Sequence, residues 1–543
     1  MNRRLAQVLI WLRRTRRKAR LGAAPLWLFA VVTGAAAAYG VIAFRMALVA
    51  VSTLAFGVIE GMIVSAASAL DFWRAFAAPV AGGLAVAGLL YLAGRLKWLE
   101  GGRPESIAEV IESRAVKNGR MSLRAGGVSA VVAAISLGAG ASAGREGPAV
   151  HLGATIASLL DRWFSFSAKD RRTLLGCGAA AAVSASFNAP IAGVLFALEV
   201  IMGNYALSVF GPIAAASAAA AIVTRIHLGD FPAIAPPAYG FVHTIDVPLA
   251  ALLGVLCGGA ASLFILATER LTASVRQIAD RFGVAYFFLP PLAGVVIGFI
   301  GAFYPEIFGV GYEAVTRALD GAYAIHFLLL LAALKLAATV VTLSCRFGGG
   351  VFSPGLVIGV FLGAAYGDGL GLLFPEATAS PVYYAMIGMG AASGAILGAP
   401  ISTTLIAFEL TGDYRITLSL MVAVAIATLI TQALSQKSYF QWQLARRGYD
   451  LSEGPQGVIL QTTRVREVME KMPAGAPLGD DAPRLSARMS LGEALASLEA
   501  QDEPGLPVVD TDDKNAVVGY LSRVRALAAY NRALVESHIE HHR

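Results

Sequence analysis

From residue 25 to about residue 434 the chain alternates long apolar tracts with brief polar interruptions, and the stretch after Gln441 turns polar. Eight tracts predict full membrane spans, at 24–44, 46–70, 79–94, 206–224, 247–267, 286–303, 326–344 and 416–434, because about twenty apolar residues cross a bilayer as a straight helix. Two regions differ. Between 150 and 201, and again between 351 and 410, charge, glycine or proline cuts the apolar run into pieces of roughly a dozen residues, too short for a straight span. Gly348, Gly349, Gly350, Pro354, Gly398 and Pro400 punctuate the second region. Broken helices in two corresponding places point to the binding site of a transporter built from inverted repeats. The repeat is visible in the letters: AAVSASFNAPIAGVLFALE (181–199) lies over AASGAILGAPISTTLIAFE (391–409) with about half the positions identical, the Ala-Pro-Ile and the final glutamate among them. GREGP and GGGVFSP precede the two copies. In the polar tail, VREVM, MSLGEALASLEA and GLPVVDTDDKNAVVGYLS predict alternating strands and one amphipathic helix, a compact α+β module.

Composition narrows the class further. With 57% hydrophobic and 15% charged residues and a mean hydropathy of +0.66, the chain reads as a polytopic membrane protein and not as an ordinary soluble one. The formal charge of +7 suggests no nucleic-acid partner, because eight basic residues crowd the first twenty positions with no acid among them. Such a cluster holds the N-terminus in the cytoplasm. Three domains are expected: a basic cytosolic segment at 1–22, a membrane domain at 23–446, and a cytosolic domain with a charged tail at 447–543. Cys177, Cys257 and Cys345 lie apart in small-residue apolar settings and read as packing residues. His151, His227, His243 and His326 stand alone, so no metal site, cofactor or catalytic constellation is expected.

The candidate chemistry lies at the helix breaks. The first backbone N–H groups of a helix have no intrahelical acceptor, and the aligned peptide dipoles leave roughly half a positive charge there, so a broken helix binds anions without a full positive side chain. Glycine admits the anion close to the backbone, and proline in the first turn gives up no needed donor. GREGP (144–148), GGGVFSP (348–354) and EGGRP within 100–104 all have this form. Three such ends converging within the membrane make a weak, dry anion site, and Glu146 places a carboxylate beside it.

GREGP, FNAPIAGVLFALE (187–199), GGGVFSP and FELTGDY (408–414), in this order, resemble the motifs of the CLC family of chloride channels and chloride/proton antiporters over about residues 25 to 446. The resemblance implies an all-α inverted-repeat membrane fold with broken helices, in a homodimer whose subunits each carry a pore. It implies that Glu146 is the gating glutamate, whose carboxylate occupies an anion site when ionised and leaves it when protonated or displaced. Arg145 then offsets charge nearby. Gly101, Gly102, Gly147 and the amides of Val351 and Phe352 match anion-binding positions. The tail resembles a single CBS motif, which makes it a small α+β cytosolic domain expected to pair across the dimer. The motif ends in SRVR (522–525), with Arg525 where many such motifs place a ribose-binding acid, and this argues against nucleotide binding.

The chain departs from the family pattern at three places. Gly101 stands where the family has a serine, and alignment through Lys437 and Leu444 puts Phe440 at the pore tyrosine, whereas a one-residue slip puts Tyr439 there. Val200 replaces the internal proton glutamate. Valine relays no proton, which favours channel-like conduction of chloride or a similar small monovalent anion. Two alternatives remain: a chloride/proton antiporter using another proton route, for which Glu100 and Glu105 are candidates, and a non-transporting membrane sensor acting through the CBS-like tail. At the sequence level Glu100 and Glu105 read as exposed carboxylates at the cytoplasmic mouth, and Glu199 as a helix-end cap. The expected setting is a bacterial inner membrane with both termini cytosolic.

Overall fold

The computed structural model describes residues 23–57, 62–99, 103–164, 166–230, 234, 237, 243–375, 378–449, 457, 460, 461, 463–472, 483–510 and 516–542. The basic segment 1–22 and the positions Glu100, Gly101 and Gly102 lie outside the described residues. The chain divides into two compact units between Phe440 and Gln441.

The first unit is helical throughout: α1 (Ala23–Phe56), α2 (Ile63–Ala69), α3 (Phe72–Arg95), α4 (Ile107–Ala115), α5 (Leu123–Gly138), α6 (Glu146–Asp161), α7 (Ala168–Phe187), α8 (Pro190–Phe196), α9 (Leu207–Leu228), α10 (Asp246–Phe282), α11 (Leu289–Phe303), α12 (Tyr312–Leu319), α13 (Ile325–Ser344), α14 (Phe352–Leu373), α15 (Pro381–Leu397), α16 (Pro400–Thr411) and α17 (Tyr414–Ser435), with α18 (Tyr439–Ala445) at its end. Among the described residues eight helices are long and apolar enough to cross a membrane. Large apolar side chains such as Leu54, Leu207 and Leu372 stand exposed on their outer faces, as lipid contact requires.

Two sequence expectations need correction. The spans predicted at 24–44 and 46–70 are instead one 34-residue helix, α1, followed by the short α2. Arg45 separated them in the sequence, but a lone arginine breaks no helix, since its long apolar stem can carry the charge toward a polar surface. The region after Val351 is also less chopped than predicted, because α14 is an unbroken 22-residue helix. Four of its six glycines are packing positions. Gly355, Gly359, Gly363 and Gly367 recur every fourth residue, and a methyl placed on each would lie 3.2, 2.1, 2.2 and 2.6 Å from atoms of α15. Small residues on one face let membrane helices approach backbone to backbone, which supplies the packing that the hydrophobic effect cannot supply in lipid.

The repeat is carried into three dimensions. Helices α6 to α9 and α14 to α17 follow each other in the same order, and aligned glycines make the same crossing in both halves. A methyl on Gly153 of α6 would lie 2.3 Å from Gly178 O of α7, and one on Gly359 of α14 would lie 2.1 Å from Gly388 O of α15. The glutamates closing the repeated segment cap each other's partner helix. Glu199 accepts N–H bonds from Ile401 (3.0 Å) and Ser402 (2.7 Å), and Glu409 accepts them from Ile191 (3.0 Å) and Ala192 (2.7 Å). Such reciprocity is what a pseudo-two-fold axis between the halves produces.

The second unit holds α19 (Val465–Val468), β1 (Leu485–Ser486), α20 (Leu491–Ala500), β2 (Gly505–Val509), β3 (Val517–Ser522) and α21 (Arg523–His542). Strand β2 pairs parallel to β1 and antiparallel to β3. Helix α20 opens with a capping box, in which the Ser490 hydroxyl accepts from the Glu493 amide and the Glu493 carboxylate accepts from the Ser490 amide. Leu491, Ala494 and Leu498 turn its apolar stripe onto β1, β2 and β3 through Leu485, Leu506, Val508 and Leu521.

Candidate functional site

The two glycine motifs meet as the sequence pattern anticipated. Gly144 N–H donates to Gly350 O and Gly350 N–H donates to Gly144 O, both at 2.7 Å, an antiparallel bridge between the two halves. Helix α6 starts two residues after Gly144 and α14 two residues after Gly350, so both N-termini open at one place. Pro148 and Pro354 lie in the first turns, where neither removes a needed donor. The junction is built for glycine, because a methyl on Gly349 would lie 2.3 Å from Ala143 Cβ and one on Gly350 2.9 Å from Gly147 N, while one on Gly147 would sit tightly at 3.0 Å from Gly350 Cα.

Glu146 is the first residue of α6 and is 1% exposed. Its Oε1 accepts from the Tyr312 hydroxyl at 2.8 Å and its Oε2 from the Ser353 hydroxyl at 2.5 Å. Arg145 Nε lies 3.7 Å from Oε1, and the Arg145 guanidinium stacks 5.0 Å above the Tyr312 ring. A carboxylate of the first half so placed takes its hydrogen bonds from two hydroxyls of the second half.

The other expected site residues fall as follows. Val351 and Phe352 are buried at the start of α14, with the Phe352 ring packed on Phe187 at 5.0 Å and Phe196 at 6.4 Å. Gly147 sits at the paired junction, whereas Gly101 and Gly102 lie outside the described residues. Tyr439 and Phe440 are both buried, their rings 5.9 Å apart. Val200 follows Glu199 in a single π turn that continues α8. Burial lowers the pKa of the nearby Arg103 guanidinium, opposed by Tyr439, Glu112 and Glu105.

Two readings from the sequence are corrected here. His151 does not stand alone, and Glu105 is not an exposed carboxylate. His151 Nε2 lies 3.1 Å from Glu105 Oε2, with side-chain exposures of 1% and 12%. The Glu105 N–H in turn donates to Ser129 Oγ at 2.9 Å. This contact ties the segment leading into α4 to helix α6, the helix that carries Glu146. Chain distance hid the pair, since the partners are 46 residues apart.

Residues 82–432 match the family described as voltage gated chloride channel. A putative chloride channel protein, ClcB-like, from Ralstonia nicotianae is 34% identical over 421 residues, covering 77% of this chain and 96% of that relative. The chain belongs to the CLC family. It is therefore a polytopic membrane protein of chloride transport with the CLC helical fold. The voltage-gated ClC-type chloride channel ClcB of Escherichia coli is 30% identical over 424 residues, covering 77% of this chain and 98% of the relative. Among solved structures, a slow cyanobacterial Cl⁻/H⁺ antiporter matches the fold with a TM-score of 0.69 at 23% identity, covering 78% of this chain and 97% of that one. A CLC-type fluoride/proton antiporter matches with a TM-score of 0.63 at 22% identity, covering 79% and 99%.

Sequence reasoning missed two residues at this CLC site. Tyr312 follows the positive-φ glycines Gly309 and Gly311 of FGVG (308–311), and a lone tyrosine after a glycine turn draws no attention. Lys335 is the other. It is a single lysine in the apolar run of α13, 0% exposed, and its Nζ donates to Ile307 O at 3.0 Å and Gly309 O at 2.8 Å. An ionisable residue inside a membrane segment is a signal in its own right.

Proposed function

We propose that this chain conducts chloride or a similar small monovalent anion passively, gated by Glu146. The observation that carries the reading is the Glu146 carboxylate itself, buried at the junction of two helix N-termini and bonded to hydroxyls from α12 and α14. When the carboxylate is protonated or displaced, an anion takes up its donors. Passive conduction is favoured by Val200 and by Glu199, both of whose oxygens are engaged by the amides of Ile401 and Ser402. A second reading, anion/proton exchange, draws on the His151–Glu105 pair, in which His151 is buried on the helix that carries Glu146 and Glu105 stands on the segment leading into α4. The protein is read as a homodimer in a bacterial inner membrane with cytosolic termini, and its Gln441–Arg543 unit as a CBS-like module that pairs with its copy.

Reconstituted vesicles test these readings. With a steady chloride gradient the channel reading expects anion flux and no uphill proton movement, and proton pumping by that gradient overturns it. Glu146→Gln is expected to leave flux insensitive to pH. A wild-type pH profile in this variant removes Glu146 as the gate, and absence of any flux in the wild-type chain favours a sensor.

A further inference from the structure

Four helix ends meet on one face of the first unit, where α3, α10 and α13 end and α11 begins. Aromatic rings join them. Tyr91 of α3 packs on Phe287 at 5.2 Å, and the Arg346 guanidinium, just past the end of α13, lies 4.3 Å over the neighbouring Tyr286 ring. The Tyr286 hydroxyl donates to Asp280 in the last turn of α10. Five cations stand around this shelf of rings: Arg95, itself 5.2 Å over the Tyr91 ring, Lys97, Arg276, Arg281 and Arg346. We propose that the shelf binds an anionic phospholipid, with the headgroup held by these cations and an acyl chain lying along the apolar faces of α3 and α11. None of these residues belongs to the Glu146 site.

The mixture of side chains at one level points to lipid. Helix α10 has 37 residues and so runs about 55 Å, well beyond the roughly 30 Å of a hydrocarbon core. Its apolar stretch stops before Glu269 and Arg270, and its last turns reach the headgroup layer. Yet Ile278 and Phe282 stand there 56% and 72% exposed, among Arg276 and Arg281. Leu96 and Phe288 repeat the pattern beside Arg95 and Tyr286, at 45% and 51% exposure. Water suits the guanidiniums and not the apolar groups, hydrocarbon the reverse, and the lipid headgroup layer serves both.

The sign of the partner follows from the charge. A helix C-terminus carries roughly half a negative charge and an N-terminus half a positive one, so three ends and one start oppose an anion here. The five cations outweigh them: with Asp280, which lies 3.9 Å from Arg276, also subtracted, a net charge of about +3 remains. Basic pockets between membrane helices hold phospholipid headgroups on this account. A path for the acyl chain adjoins the shelf. Helices α3 and α11 touch backbone to backbone, since a methyl on Gly83 would lie 2.7 Å from Pro290 O and one on Gly294 2.5 Å from Pro79 O. Leu84 and Leu92 of α3 and Leu292 and Phe299 of α11 stand more than half exposed on their outer faces.

The test uses the purified full-length protein in nonionic detergent, with native mass spectrometry counting bound lipid during titration. The probes are dioleoylphosphatidylglycerol and the zwitterionic dioleoylphosphatidylcholine. The wild-type chain is expected to bind phosphatidylglycerol about tenfold or more tightly than phosphatidylcholine, and equal retention of the two overturns the proposal. Each basic residue near an anionic headgroup is worth about fivefold, so Arg346→Gln is expected to weaken phosphatidylglycerol by about that factor and the double variant Arg95→Gln/Lys97→Gln by more than tenfold. Arg74→Gln removes the same single charge from the opposite end of α3, where its side chain is 75% exposed, and should bind like wild type. Variant affinities within about twofold of wild type overturn the proposal, as does an equal loss in Arg74→Gln. Arg95 and Lys97 are exposed at a helix end, so the double variant decides the matter alone if Arg346→Gln melts below wild type. Glycerol 1-phosphate, a headgroup without chains, should leave bound phosphatidylglycerol in place at equal concentration. Its displacing the lipid would assign the cations to a free phosphate ester and overturn the lipid site.

Discussion

Replacing Gly359 by alanine tests the crossing that holds α14, and with it Phe352 and Ser353, in position. The added methyl would stand 2.1 Å from Gly388 O, 2.6 Å from Gly388 C and 2.9 Å from Met389 Cα. All three are backbone atoms, so no rotamer change relieves the overlap. To reach the 3.4 Å at which ordinary contact begins, α14 and α15 must part by about 1.3 Å along a buried interface. Overpacking costs about 1 to 3 kcal/mol where side chains can yield, so a cost of about 3 kcal/mol or more is expected here. The assay is thermal melting in detergent together with chloride efflux from vesicles, run beside Gly371→Ala on the same helix, where a methyl meets nothing within 4 Å. Gly359→Ala should melt several degrees lower and lose efflux, whereas Gly371→Ala should match wild type. Equal melting of the two variants would falsify the close backbone approach, and the account of how the second helix end is positioned would fall with it. Gly153→Ala, the aligned position in the first half, should reproduce the defect against Gly178 O at 2.3 Å.

Lys335→Met removes both donors to Ile307 O and Gly309 O; each orphaned carbonyl costs about 1 to 3 kcal/mol, so a lower melting temperature is expected, and wild-type stability would show that the lysine does not secure this turn. Because Glu199 and Glu409 cap each other's helices, Glu199→Gln and Glu409→Gln should each cost about 1 kcal/mol, in the range of a lost cap, with neither changing proton movement in vesicles; a proton effect confined to Glu199→Gln contradicts the capping role. In the second unit, the amide and hydroxyl of Ser490 hold the Glu493 carboxyl below its ordinary pKa. A group with a depressed folded-state pKa stabilises at pH above its unfolded value and loses that contribution as pH falls through its folded one, so hydrogen exchange across α20 should quicken on acidification in the wild-type chain and change less in Glu493→Gln, and identical acid responses would remove the carboxylate from the cap.

The site was legible to the degree that its chemistry is local. GREGP and GGGVFSP announce glycine-lined helix starts from consecutive residues, and the aligned Ala-Pro-Ile segments announce that each has a counterpart in the other half. The reciprocal caps of Glu199 and Glu409 follow from that alignment, since the two glutamates occupy the same place in the repeat. The chopped reading of 351–410 holds at Gly398 and Pro400, where α15 gives way to the short α16, and failed over α14 because glycine has two opposite uses in membrane helices. A helix end and a close helix crossing look alike in composition, and only the every-fourth spacing of Gly355, Gly359, Gly363 and Gly367 distinguishes them.

By itself, then, the sequence determined a membrane protein made of two related halves, a glutamate placed at a helix start, and a separate polar tail, because apolar length, glycine, proline and repeat register act between near neighbours or between aligned copies. The partners were decided by the tertiary structure alone. Tyr312 reaches Glu146 across 166 positions and Ser353 across 207, and His151 finds Glu105 only because α6 runs past the segment that leads into α4. Which side chains meet at such distances depends on where helices cross, and those crossings are set by backbone approach at pairs such as Gly153 with Gly178 and Gly359 with Gly388.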